Sequence, residues 1–128
     1  MSSYKMLRLF LVASVAVFAV ISTTGCFSLL CAEELITEIK SPDQRRIATE
    51  VIRNCGATTD YGTVVEVRWV SSQRADSDVV FFVNGRAKVQ LNWLGNETLS
   101  VGCPECTEEQ VSRRVSKLGK VNIEFTNL

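Results

Sequence analysis

The sequence predicts a small, mainly β domain: an antiparallel meander of five or six strands with one short C-terminal helix, preceded by an apolar export or anchor helix. Three observations predict it. Short runs rich in Val, Ile and Thr alternate apolar and polar residues with period two, the pattern of half-buried strands. Turn-forming residues separate these runs at Ser41-Pro42-Asp43-Gln44, Asn84-Gly85 and Gly95-Asn96. Beyond the apolar start, helical spacing occurs in one place, at Val111, Val115 and Leu118.

The chain opens with Lys5 and Arg8, followed by 24 uncharged residues from Leu9 to Ala32. A basic start, an apolar middle and a small-residue exit at Ser22-Thr23-Thr24-Gly25 are the parts of a secretory signal. Three outcomes are open. Thr23-Thr24-Gly25-Cys26 reads as a lipobox that places lipid on Cys26, although Thr23 stands where bacterial lipoproteins usually carry Leu. An ordinary signal would be cut between Gly25 and Ala32. Retained whole, the run is long enough to cross a bilayer as a helix. Each outcome places residues 33–128 outside the cytoplasm, because the positive charges hold the N-terminus inside. The expected division is therefore 1–32 as signal or anchor and 33–128 as a small exported β domain.

Glu33 to Lys40 alternates loosely and reads as a linker into a short edge strand. After the Ser41–Gln44 turn, Arg46 to Arg53 alternates, with Ile47, Thr49 and Val51 on one side and Ala48, Glu50 and Ile52 on the other. Thr63 to Val70 repeats the pattern, with Val65, Val67 and Trp69 facing one way. Val79 to Val83 and Arg86 to Trp93 are separated by Asn84-Gly85, the pair best suited to the two positive φ angles of a type I′ hairpin turn. Val89, Leu91 and Trp93 are the inward residues of the second arm. Thr98 to Gly102 points Leu99 and Val101 inward, and Lys120 to Phe125 points Val121, Ile123 and Phe125 inward.

The helix is expected within residues 107–118. Acids crowd its start, Arg113, Arg114 and Lys117 its end, and Gly119 is placed to stop it. Thr107 caps it with Gln110 closing a capping box, or Cys103 caps it with Pro104 at the first helical position. A strand through Gln110 to Val115 is the alternative, because Val111 and Val115 also fit period two.

Composition narrows function by exclusion. Of the 14 basic residues, Lys5 and Arg8 lie upstream, leaving 12 against 14 acidic, a net of −2 beyond residue 32. That balance provides no basic face for nucleic acid. Without a single histidine, the chain holds neither a Ser-His-Asp nor a Cys-His device.

The stretch Leu35 to Asp43, then Ala48 to Asn54, then Cys55-Gly56-Ala57-Thr58-Thr59 resembles a family of small uncharacterised bacterial exported proteins or lipoproteins. In that family a Ser-Pro-Asp-Gly turn precedes a strand and a Cys-Gly-Ala-Thr-Thr segment. Leu91-Asn92-Trp93 is similar to its later Leu-x-Trp-like element. Gln44 stands where the family carries glycine, and Cys103-Pro104-Glu105-Cys106 lies outside the pattern. The resemblance implies location and broad fold and supplies no activity.

Five cysteines are many for this length, and export favours pairing them. Cys55, Cys103 and Cys106 are the disulfide candidates, with Cys55 bridged to Cys103 or Cys106, or to Cys31 if that residue is retained. The odd count leaves one thiol over. Alternatively, Cys103 and Cys106 form a redox pair, with the helix dipole lowering the Cys103 pKa. In Gly56 to Thr59 the expected role is a connection whose glycine takes a special backbone angle and whose threonines bond the turn. No metal or cofactor is expected. Taken together, the residues predict a non-enzymatic, membrane-tethered envelope protein that binds or supports an envelope protein or glycan, with a thiol-redox module as the alternative.

Overall fold

The computed structural model describes residues 31–56 and 58–128. The expected N-terminal helix, the lipidation candidate Cys26 and the loop residue Ala57 lie outside the described residues. The chain divides into two units, Met1–Leu30 and Cys31–Leu128. The second unit therefore begins at Cys31.

That unit is built from two sheets around one core. The first sheet holds β1 (Ala32–Lys40), β2 (Arg46–Asn54), β3 (Gly62–Trp69), β4 (Asp78–Asn84) and β7 (Val111–Arg114), in the order β1-β2-β3-β4-β7. All its pairings are antiparallel, so the predicted meander is present through its first four strands. The second sheet holds β5 (Gln90–Trp93), β6 (Thr98–Gly102), β8 (Lys117–Leu118) and β9 (Val121–Thr126), in the order β5-β6-β9-β8. There β6 and β9 run parallel. The expected single sheet is thus corrected to two.

Alternation groups Val65 with Val67 and puts Leu99, Val101, Val121 and Ile123 inward, and all six are buried in the core, whereas Trp69 on the same parity is exposed. Ala48, Val65, Val67, Val80, Phe81 and Val83 from the first sheet meet Leu99, Val101, Val121 and Ile123 from the second. Phe81, Leu99, Val65 and Val101 are fully buried. The opposite face of the first sheet is also largely covered, with Val51 and Val64 fully buried. Over this face the segment after β3 folds back through a single 3₁₀ turn at Arg74–Asp76. Arg74 pairs with Glu33 of β1, whose carboxylate also binds Arg53, and Arg53 reaches Glu66.

Residues 33–40 form a strand rather than a linker, paired with β2 along their length and carrying a bulge between Leu35 and Thr37. The Ser41 turn forms as expected: the Gln44 N–H donates to the Ser41 carbonyl at 2.9 Å and the Ser41 hydroxyl donates to Asp43 Oδ1 at 2.6 Å.

The Asn84-Gly85 hairpin is corrected. Gly85 has φ +91°, but Asn84 does not take the positive φ that a type I′ turn requires. The chain instead leaves the first sheet at Gly85 and crosses to the second, where β5 pairs with β6. A crossing backbone has no strand partner, yet its buried N–H groups must still be satisfied. Side chains from the inner face of the first sheet do this. Thr63 Oγ1 accepts the Ala87 N–H at 2.9 Å, and a Glu50 carboxylate oxygen accepts the Val89 N–H at 3.3 Å.

The helix expected within 107–118 is also corrected. Gln110 Oε1 does accept the Thr107 N–H at 3.0 Å, as in the predicted capping box, but the turn ends there. Val111–Arg114 forms strand β7 on the free edge of β4, opposite Phe81 to Val83. The edge supplies backbone partners and the β-branched Val111 suits a strand, so tertiary pairing overrides the helical spacing. Val115 and Ser116 then carry the chain to the second sheet, with the Val115 N–H donating to the Val80 carbonyl at 2.9 Å.

Candidate functional site

The two ends of the domain differ in chemistry. At the entry end, Ala32 is paired with Asn54, so Cys31 and Cys55 flank the last rung of the β1–β2 ladder and are joined by a disulfide. This corrects the expected bridge from Cys55 to the C-terminal cysteines. Cys103 and Cys106 are bonded to each other instead. The Cys106 N–H donates to the Cys103 carbonyl at 3.1 Å, so the Cys103–Cys106 bond closes a tight turn. Both residues are buried, Cys103 completely, and both belong to the core. They cap no helix, because none is present there among the described residues.

In the segment Cys55, Gly56, Thr58 and Thr59, Gly56 has φ +132°, an angle reserved for glycine. Its carbonyl accepts both the Thr59 N–H at 3.3 Å and the Thr59 hydroxyl at 3.2 Å. The segment is a hydrogen-bonded connection closed by a disulfide. Nearby, the Arg86 guanidinium lies 4.3 Å from the Tyr61 ring centroid and pairs with Glu34. The sequence-predicted site residues therefore fall into two separate groups, one at this end and one in the core.

The other end carries a cleft of about 630 Å³ that the sequence did not single out. Its floor is Val67, Leu118 and Val121, and its rim carries Trp69, Arg46, Asp43, Asp78, Glu97 and Lys120. Arg46 and Trp69 are cross-strand partners of β2 and β3, on the same face as Ala48 and Val67. They sit where that face runs out of core. Trp69 is consequently 52% exposed despite its inward parity. Arg46 is buried beneath it. Its guanidinium lies 4.6 Å from the ring centroid, donates to the Asn96 carbonyl at 3.0 Å and stands 3.7 Å from Glu97.

The cleft mixes both signs of charge, with four basic and three acidic residues in its lining. The Ser41 hydroxyl holds the Asp43 carboxyl below its usual range, aided by the Arg45 amide and the adjacent arginines. Asp43 is therefore ionised at neutral pH. Glu50, by contrast, lies inside the sandwich, where burial raises its carboxyl above the ordinary range despite hydrogen bonds from Val89 and Thr37. It serves the crossing backbone and lies outside the cleft lining. Among the described residues, no group of three His, Cys, Asp or Glu side chains is placed to hold a metal ion. The only sequence signal for the cleft was a tryptophan ending a strand; its arginine and acidic neighbours come from three other segments.

Among the described residues, no helix is long and apolar enough to cross a membrane. No curated protein matches the chain, and no solved structure matches it. A family model described as a family of unknown function, DUF5412, matches residues 1–110, which take in β1 to β6 and stop just before β7. With most of its length matched, the chain belongs to this uncharacterised family.

Proposed function

We propose that the chain is a non-enzymatic binding module of the bacterial cell envelope, tethered to the membrane through its N-terminal segment. One observation carries this reading: a domain whose described cysteines are all disulfide-bonded begins at Cys31, at the end of an apolar run with basic residues before it. Disulfides persist in oxidising compartments, and such a start is the signature of export. The Cys31–Cys55 bond also bears on processing. A cut after Cys31 would remove one partner, so the bond favours lipidation at Cys26, a cut upstream of Cys31, or a retained anchor.

The cleft supplies the binding half of the proposal. It lies at the far end of β1 from Cys31, roughly 25–30 Å along a nine-residue strand. The alternative, a thiol-redox module using Cys103 and Cys106, faces the burial of both sulfurs. Thiol–disulfide exchange needs a sulfur that an attacking thiolate can reach.

Intact mass spectrometry of the membrane-extracted protein tests the proposal. The expected species retains Cys31, carries two disulfides, and is either lipidated at Cys26 or extended through the apolar run. A soluble species lacking residue 31, or one with free thiols throughout, would overturn it.

A further inference from the structure

The geometry points to the Trp69 cleft as a saccharide site, with a pyranose ring stacked on the indole. This deepens the reading of the chain as a binding module and depends on it. The first argument is the aromatic face. Arg46 covers one side of the Trp69 ring, and the residue is half-exposed and lines the cleft beside the apolar Val67, Leu118 and Val121. A pyranose presents a flat C–H face that fits an indole, and hydroxyls around its edge that need polar partners. Carboxylates at Asp43, Asp78 and Glu97 accept from such hydroxyls, and Lys120 donates to them.

The second argument is charge. Arg46 is paired with Glu97, and Arg68 with Glu38. Counted over the cleft lining, Arg45, Arg46, Arg68 and Lys120 stand against Asp43, Asp78 and Glu97, a mixed set with a net of only +1. Such a lining favours a neutral polyhydroxylated ligand over a phosphate, a nucleic acid or a strongly charged peptide. A proline-rich peptide, the other common occupant of aromatic grooves, docks on several aromatic residues. Trp69 is the one aromatic residue lining this cleft. Arg46 is then a positioning residue that fixes the plane of the stacking ring.

The test uses the full chain in a detergent without a sugar headgroup. Wild type, Trp69→Ala and Glu97→Gln are co-sedimented with purified peptidoglycan, chitin and cellulose, and titrated with chitohexaose, cellohexaose and a proline-rich peptide while indole emission is followed. Near-UV circular dichroism confirms that the variants are folded. The expected result is retention of wild type on at least one polysaccharide, reduced roughly tenfold or more by Trp69→Ala. Affinity should change little with added salt, since the hydroxyl contacts carry no net charge. Absence of retention on all three polysaccharides, equal retention of wild type and folded Trp69→Ala, or binding of the peptide alone would overturn the saccharide assignment. A membrane-bound protein that retains no saccharide refutes this assignment only. A protein absent from membranes refutes the tethering and leaves the assignment standing.

Discussion

Arg46 and Trp69 face each other across β2 and β3, with the guanidinium 4.6 Å from the centroid of the indole ring. The arginine is buried and the tryptophan half-exposed, an inversion of the usual placement. The arrangement holds because Arg46 has a fixed acceptor in the Asn96 carbonyl and a carboxylate neighbour in Glu97. A surface tryptophan is thereby pinned from below by a charged group.

Replacing Arg46 by Ala should cost about 1–3 kcal/mol, because it removes the cation–π contact and leaves the Asn96 carbonyl without its donor. Arg46→Lys should recover only part of this, since an ammonium lacks the planar fork that both stacks and donates. Urea unfolding followed by indole emission measures the stability. The same spectra should show Trp69 moving toward a fully solvated emission in Arg46→Ala.

Glu50 should make stability depend on pH in a direction opposite to most carboxylates. Its folded pKa is raised by burial, so the folded state binds its proton more tightly than the unfolded chain does. Its stabilising contribution is full below the ordinary glutamate pKa and is lost as pH rises through the raised value. Glu50→Gln should remove that dependence while keeping an acceptor for the Val89 N–H. Glu50→Ala should cost about 1–3 kcal/mol at any pH, because a buried donor is left unmet. Denaturation midpoints of the three proteins, compared from mildly acidic to neutral pH, check both statements.

The two disulfides should differ in their response to reductant. Cys31 and Cys55 are exposed, whereas Cys103 and Cys106 are in the core. Mild reduction followed by alkylation and peptide mapping should label Cys31 and Cys55 first, and Cys103 and Cys106 only with global unfolding. Opening the Cys31–Cys55 bond, which spans 24 residues, should cost about 3 kcal/mol on the chain-entropy treatment. Early labelling of Cys103 would show that the core opens more readily than its packing indicates.

Gly62 opens β3 beneath the Phe82 ring of β4, where an added Cβ would come within 2.5 Å of the Phe82 Cζ. Gly62→Ala should destabilise by about 1 kcal/mol, since the ring can swing aside at some cost in packing. Phe82→Leu in the same chain should recover most of the loss, a coupling that a double-mutant cycle in urea measures directly.

Strand faces were legible in the sequence because period-two alternation reports which side chains share a side. Leu99, Val101, Val121 and Ile123 are all inward as their spacing requires. Alternation does not report how far along a strand the core extends, and Trp69 shows the difference: right face, wrong depth. Partner choice was also hidden. Asn84-Gly85 carries a hairpin composition, but β4 pairs with β7, and the chain goes on to β5 in the other sheet. The Val111–Leu118 spacing fits two periods, and the free edge of β4 decided between them. Cys31 looked like part of the apolar run, so its pairing with Cys55 was visible only as an alternative. The cleft could not be read at all, because Asp43, Trp69, Glu97 and Lys120 come from four separate segments.

Among the described residues, β9 follows β6 and β8 in the chain but lies between them, and its Val121 and Ile123 belong to the core. By contrast, β1 to β4 are neighbours in the order in which they are made. A growing chain therefore reaches an open half-sandwich early, with Ala48, Val65 and Phe81 uncovered, and cannot close it until β9 has been made. Completion of the core is tied to the arrival of β9, so the strands made first hold an apolar face that waits for one made after them.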